Sequence, residues 1–238
     1  MAVIISPNVV SDGLILHLDA GNSRSYTSGN YWKDLCTTGL EFTLANSPSH
    51  VTSSNIGYFQ VDGTNQYFWN NTNSSGNRGA VVTNEGTWSS WFRTHANGNY
   101  EGLIYVSDSG AAYTDYMHIR LYNNRLYANL ENNDSAIWAE MCITNSNSVS
   151  INTWHYYALT SDASSVKCYL NGSLHHTLSD SDWMNDALTN NPIIEIGYSA
   201  WGDQYFDGDI AMVSYYDKAL TAAEVSQNYH AHRKRFGV

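Results

Sequence analysis

The sequence predicts an all-β protein, a sandwich or a barrel, and three observations predict it. Turn signals recur at short intervals with alternating segments between them, a spacing that leaves no room for βαβ units. Aromatic residues reach 13%, with 18 Tyr and 8 Trp, while charged residues make up only 14%, so solubility rests on Asn, Ser, Thr and Gly. At 238 residues the chain suits one large all-β domain, here 1–238.

The strands are expected at Leu14–Leu18, Ile56–Val61, Gln66–Trp69, Gly86–Thr94 and Gly102–Ser107, then Tyr116–Tyr122, Arg125–Glu131, Trp154–Thr160, Val166–Leu170, Ile193–Tyr198 and Phe206–Tyr216. Asn70 to Arg78 reads as a long surface loop. Within Gly86–Thr94, Trp88 and Phe92 share one face and Trp91 and Arg93 the other. With an aromatic on both faces, one side packs in the core and the other sits on an outer, partly exposed surface.

The clearest local unit is a hairpin in which Asn123-Asn124 supply the two left-handed residues of a type I′ turn. That turn pairs Tyr122 with Arg125, Leu121 with Leu126, Arg120 with Tyr127, Ile119 with Ala128, His118 with Asn129 and Met117 with Leu130. One face is then apolar, and the other carries His118, Arg120, Tyr122, Arg125, Tyr127 and Asn129, a polar aromatic surface that could receive a ligand.

The end of the chain predicts a helix over 221–235. Thr221 and Glu224 form a capping box, Val225, Tyr229 and His232 fall on one side, and Arg233-Lys234-Arg235 suit the negative end of the dipole.

A formal charge of −11 disfavours nucleic acid and anionic membranes as partners, and no stretch is apolar enough to insert in a bilayer. Cys36, Cys142 and Cys168 show no metal-site spacing and allow one bridge at most. The N-terminal residues lack the basic and apolar regions of a signal peptide, so folding without Sec export is expected.

Three segments carry a family resemblance. Phe206-x-Gly208-x-Ile210-x-x-Val213-x-x-Tyr216 through Ala219-Leu220-Thr221-x-x-Glu224-Val225 resembles the closing motif of laminin G-like, concanavalin A-like jelly rolls. Thr153 to Thr160 with Val166 to Gly172 resembles their paired central strands, and Phe59 to Tyr67 their early hairpin. The resemblance implies two curved antiparallel sheets packed face to face, one concave surface, and a final strand leading into the short helix. Gly13 to Tyr26, with Trp32-x-Asp34-Leu35, is most similar to versions encoded by tailed bacteriophages.

Catalytic signatures are absent. The glucanases of this architecture place acids at alternate positions of one strand, but Glu195 has only Ile193 and Gly197 as same-face neighbours. No nucleophile elbow, zinc-protease motif or phosphate loop occurs. His175-His176 and His230-x-His232 read as hairpin and helix-surface residues and not as nickel or zinc ligands. The resemblance implies instead calcium at a sandwich rim, with Asp203, Asp207 and Asp209 as ligands, although Asp207 and Asp209 bracket Gly208 where the family motif has a turn entering a strand.

Carbohydrate binding needs aromatic faces for the sugar's C–H surface and polar groups for its hydroxyls. Trp91, Arg93, Arg120, Tyr127, Trp138 and Trp201 supply those types. The same residues could instead contact protein. The resemblance to phage-encoded versions implies a non-enzymatic virion surface protein, a decoration, fibre or tail component made in the host cytoplasm. It would dock on other virion proteins or on copies of itself and contact host glycans. A free lectin or carbohydrate-binding module is the alternative, and a glycoside hydrolase the third reading.

Overall fold

The computed structural model describes residues 7–53, 56–70, 76–96, 99–108, 115–132, 137–145, 147–180, 182–188 and 191–238, with backbone alone at 53, 99 and 137–143. The first strands are β1 (Leu14–Asp19), β2 (Tyr31–Lys33), β3 (Glu41–Ala45), β4 (Ser49–Ser53), β5 (Ile56–Asp62) and β6 (Tyr67–Asn70). There follow β7 (Gly86–Thr94), β8 (Asn99–Ser107), β9 (Asp115–Tyr122), β10 (Arg125–Asn132), β11 (Ile137–Ile143) and β12 (His155–Ser161). The chain ends with β13 (Val166–Leu170), β14 (Ser173–Leu178), a one-turn helix α1 (Met184–Ala187), β15 (Ile193–Ile196), β16 (Tyr198–Ser199), β17 (Gln204–Tyr205), β18 (Asp207–Tyr216) and α2 (Ala222–His232).

Two antiparallel sheets form a jelly-roll sandwich. Sheet A runs β14-β13-β12-β7-β18-β5-β4 with β1 also on β18, and sheet B runs β11-β10-β9-β8-β15-β6-β3-β2. Between them lies one apolar core that includes Trp32, Phe59, Phe68, Trp88, Phe92 and Met117, all fully buried. The hairpin register read from the sequence is the one observed, pair for pair. Asn123 and Asn124 adopt φ of 50° and 56°, as a type I′ turn requires.

The expected strands all form, with shifts of a residue or two at most ends. The exceptions have local causes. β8 begins at Asn99, ahead of the expected Gly102, because its pairing with β9 continues past a bulge at Asn99/Glu101 to Asn99 opposite Tyr122. The Ile193–Tyr198 strand breaks at Gly197 (φ 78°), so Tyr198 leaves sheet B and pairs with Tyr205 in a two-stranded flap. Residues 71–75 of the loop read between Asn70 and Arg78 lie outside the described residues; Gly76 and Asn77 are exposed, while Asn70 and Arg78 at its ends are buried.

The outer face of sheet A is not a solvent surface. Trp91, Tyr156, Tyr169, Met212 and Tyr216 form a second buried cluster with Leu220, Val225 and Phe236 from the C-terminal segment. Thr221 caps α2: its Oγ1 accepts from Glu224 N–H at 3.3 Å while Glu224 Oε2 accepts from Thr221 N–H at 2.8 Å. The helix stops at His232, short of the expected 235, and Arg233–Arg235 continue as turns. Arg235 then reaches back to Asp19, donating to both carboxylate oxygens at 2.9 and 2.8 Å. Cys168 is disulfide-bonded and Cys36 is free.

Candidate functional site

The sequence-selected residues separate onto two faces. On sheet A, Trp91 is 1% exposed, with Phe236 stacked on it at 4.4 Å and Tyr229 at 5.6 Å between ring centroids. This corrects the expectation of an open aromatic there: β7 alternates as read, but the outer face is roofed by the C-terminal segment. Arg93 is likewise committed. It donates through Nε to Asp209 Oδ2 at 2.6 Å and packs its guanidinium over Tyr58 and Trp154.

The three aspartates do not form one site. Asp209 is fully buried, and its Oδ2 accepts from both Arg93 and His95, so a further cation would meet the guanidinium's repulsion. Asp207 points to solvent near His95, and Asp203 sits in the flap turn at φ 53°, accepting from the Tyr198 hydroxyl at 2.8 Å. Among the described residues no group of three or more His, Cys, Asp or Glu converges as a metal cage. The structure places the three aspartates apart, and the carboxylate neighbouring Arg93 serves an ion pair.

On the outer face of sheet B the outcome differs. Strand pairing sets Asn129, His118, Tyr105, Glu195 and Trp69 side by side on consecutive strands. The flap β16–β17 folds over this row, with Tyr198 stacked on Tyr205 at 4.5 Å and against Tyr67 at 4.9 Å. In the next row Arg120 lies opposite Tyr127. Its guanidinium carbon is 4.9 Å from the Tyr100 ring centre, 5.0 Å from Tyr127 and 4.9 Å from Trp201. Three of the sequence-selected residues, Arg120, Tyr127 and Trp201, thus converge around one cation.

Tyr100, which the sequence pattern does not single out, completes the box. It occupies the β8 bulge at φ 64°, a strained value for an aromatic residue, and stands 40% exposed while stacking on Tyr122 at 4.3 Å. Its signal in the sequence is faint, because an Asn-Gly-Asn run before it reads simply as a turn. Trp138 belongs to β11, where only the backbone is described.

Burial sets the electrostatics of this face. His118, 1% exposed, is pushed down to about 3 by desolvation and then by the Arg120 charge, so it is a neutral imidazole. Its Nε2 is 3.0 Å from Asn129 Oδ1, and its Nδ1 is 3.4 Å from Ser199 Oγ. Glu195 is pushed up to about 8 by burial alone, which keeps its carboxyl protonated at neutral pH. Its cross-strand neighbours are Trp69 and Tyr105, so among the described residues no second acid is paired across from it. Glu131, the nearest acid on β10, accepts from the Tyr116 hydroxyl.

The sandwich and the sequence that builds it match a known protein family. Residues 62–226, more than half the chain, match a laminin G family model of the concanavalin A-like lectin/glucanases superfamily. The chain belongs to this family. No match is found among curated proteins. Among solved structures it is similar to the botulinum neurotoxin type G receptor binding domain, at 19% identity and a TM-score of 0.62 over 92% of this chain and 51% of that one. It spans about half of that toxin domain. The carbohydrate-binding module CBM40 of a Ruminococcus gnavus sialidase, bound to α2,3-sialyllactose, aligns at 17% identity and TM-score 0.59, covering 71% of this chain and 94% of the other. Domain 4 of AbnA, a GH43 extracellular arabinanase from Geobacillus stearothermophilus in complex with arabinotriose, aligns at 15% identity and TM-score 0.67, covering 91% and 98%. At these identities the likeness establishes the sandwich fold alone.

Proposed function

We propose that this chain is a non-enzymatic glycan-binding module whose site is the outer face of sheet B around Arg120. The observation that carries the reading is the convergence of Tyr100, Tyr127 and Trp201 on one buried guanidinium, with Tyr100 aimed there by a strained bulge. Partly open aromatic rings offer the sugar's apolar face a surface, and the neighbouring amides and hydroxyls offer its edge hydrogen bonds. Two of the similar structures hold sugars, one acidic and one neutral, so likeness supports the ligand's class without choosing between them. Absence of a partner acid beside Glu195 supports a binding role over hydrolysis.

A glycan array probed with the wild-type chain and with Trp201→Ala tests this. Selective binding that Trp201→Ala weakens without lowering the melting temperature supports it, and a blank array from folded protein overturns it.

Its proposed setting is a virion surface, where it would dock on other virion proteins or on its own copies. The support is the phage-like segment Gly13 to Tyr26, together with the Cys168 disulfide, which suits a protein that works in an oxidising medium outside the cell. In the fold that segment has architectural duties as well: Asp19 holds Arg235, and Asp34 accepts from the backbone of His17 and Cys36. Antibody labelling of purified particles checks the setting, and unlabelled particles would remove it.

A further inference from the structure

Arg120 is 5% exposed, and among the described residues no carboxylate pairs with it. Its faces are covered by rings, its Nη1 donates to Gln204 Oε1 over a long 3.4 Å, and its Nε–H has no acceptor. A second buried donor nearby is also idle: Asn129 Nδ2, on a fully buried residue whose Oδ1 is already engaged by His118. The charged groups around the guanidinium do not supply an anion. The groups that act on Arg120 are the hydroxyls of Tyr127, Tyr100, Tyr116 and Tyr122, and Glu131 is turned to Tyr116. A buried charge without a counter-ion is costly, and idle buried donors add to that cost. The site therefore has a surplus of donors and of positive charge, and its complement is an acceptor-rich anion.

We propose that the ligand of the Arg120 site is an acidic sugar, a uronic or sialic acid residue, whose carboxylate accepts from the Arg120 guanidinium edge while its ring lies on Tyr100 and Trp201. This rests on the glycan-binding reading above and names the sugar class. A planar guanidinium matches a carboxylate in a way that a neutral hydroxyl does not. With a formal charge of −11 the chain as a whole repels anions, so selectivity comes from these short-range contacts and not from long-range steering.

Calorimetric titration with matched pairs, sialyllactose against lactose and a glucuronic-acid disaccharide against its neutral counterpart, separates the outcomes. At least one acidic member is expected to bind tenfold or more tightly than its partner, and Arg120→Gln is expected to abolish the difference. Since Arg120→Gln could impair folding, the wild-type chain supplies a second readout. The Arg120 Nε–H NMR resonance, assigned with Arg120→Lys, should move on adding the acidic sugar and stay fixed with the neutral one. Equal binding of acidic and neutral members overturns this inference while leaving glycan binding intact. Failure of every sugar on folded protein overturns both. Displacement of the acidic sugar by a poly-glutamate peptide of equal affinity would overturn the sugar assignment in favour of a protein carboxylate.

Discussion

Phe236 stacks on Trp91 with ring centroids 4.4 Å apart and planes 23° from parallel, which packs the segment after α2 onto the outer face of sheet A. Phe236→Ala should cost about 3 kcal/mol, the usual loss for truncating a buried aromatic. Urea unfolding followed by tryptophan fluorescence reads it, and the native emission should shift to the red as Trp91 gains water. Sugar binding by the same variant should be unchanged, because the proposed site is on the other sheet.

The Asp19–Arg235 pair anchors the same segment from the other end of the chain. Its side chains are only 12% and 18% exposed, so Arg235→Ala leaves a largely buried carboxylate and should destabilise by about 3 kcal/mol. Gly57→Ala beside it should be at least as damaging. A Cβ on Gly57 would lie 2.3 Å from Gly21 Cα, and backbone cannot swing aside as a side chain can. Thermal melts of both variants decide this, and a Gly57→Ala melt equal to wild type would contradict the close approach.

Tyr100→Gly should separate stability from binding. The glycine removes the penalty of φ 64° on a residue with a Cβ but forfeits the stack on Tyr122, so unfolding free energy should stay within about 1 kcal/mol of wild type. Sugar affinity should fall well over tenfold. Retained affinity would show that Tyr100 is only a strand-end residue.

The contrast between the two faces explains what was legible in the sequence. The β9–β10 register was readable because turn chemistry and two-residue alternation are local, and both pointed to one pairing. The same alternation placed Trp91 and Arg93 on one face of β7 correctly, yet could not say what covers that face. The cover is Tyr229 and Phe236, far along the chain, and their helix was read without its docking partner. Arg120, Tyr127 and Trp201 meet because a break at Gly197 sends the flap back across sheet B, a tertiary event that two-residue periodicity does not encode. Asp207 and Asp209 show the reverse case: the sequence framed the pair as the start of a strand, and β18 begins at Asp207.

Buried titratable groups should give the protein a stability maximum near pH 6.5, and Glu195 provides the decisive variant. His17, His118, His155 and His232 are all lowered chiefly by burial, His118 to about 3 and His232 to about 4. In the unfolded chain these imidazoles take up protons below about 6.5, where the native chain does not, so stability falls as pH drops from there. Glu101 and Glu195 act oppositely, being pushed up to about 8 by burial. Their contribution is fully present below about pH 4.5, where both states are protonated, and is lost as pH rises through about 8. Between those limits four imidazoles oppose two carboxyls, so the acid limb is the steeper and the decline above pH 6.5 belongs to the glutamates. Glu195→Gln replaces a protonated carboxyl by a neutral group of similar shape. Its melting temperature should match wild type near pH 4 and exceed it at pH 8, flattening the alkaline limb. An unaltered limb would mean that Glu195 is already ionised in the native protein. A carboxyl charged at neutral pH would then set a negative group in the row beside Tyr105 and His118, where the acidic-sugar reading needs none.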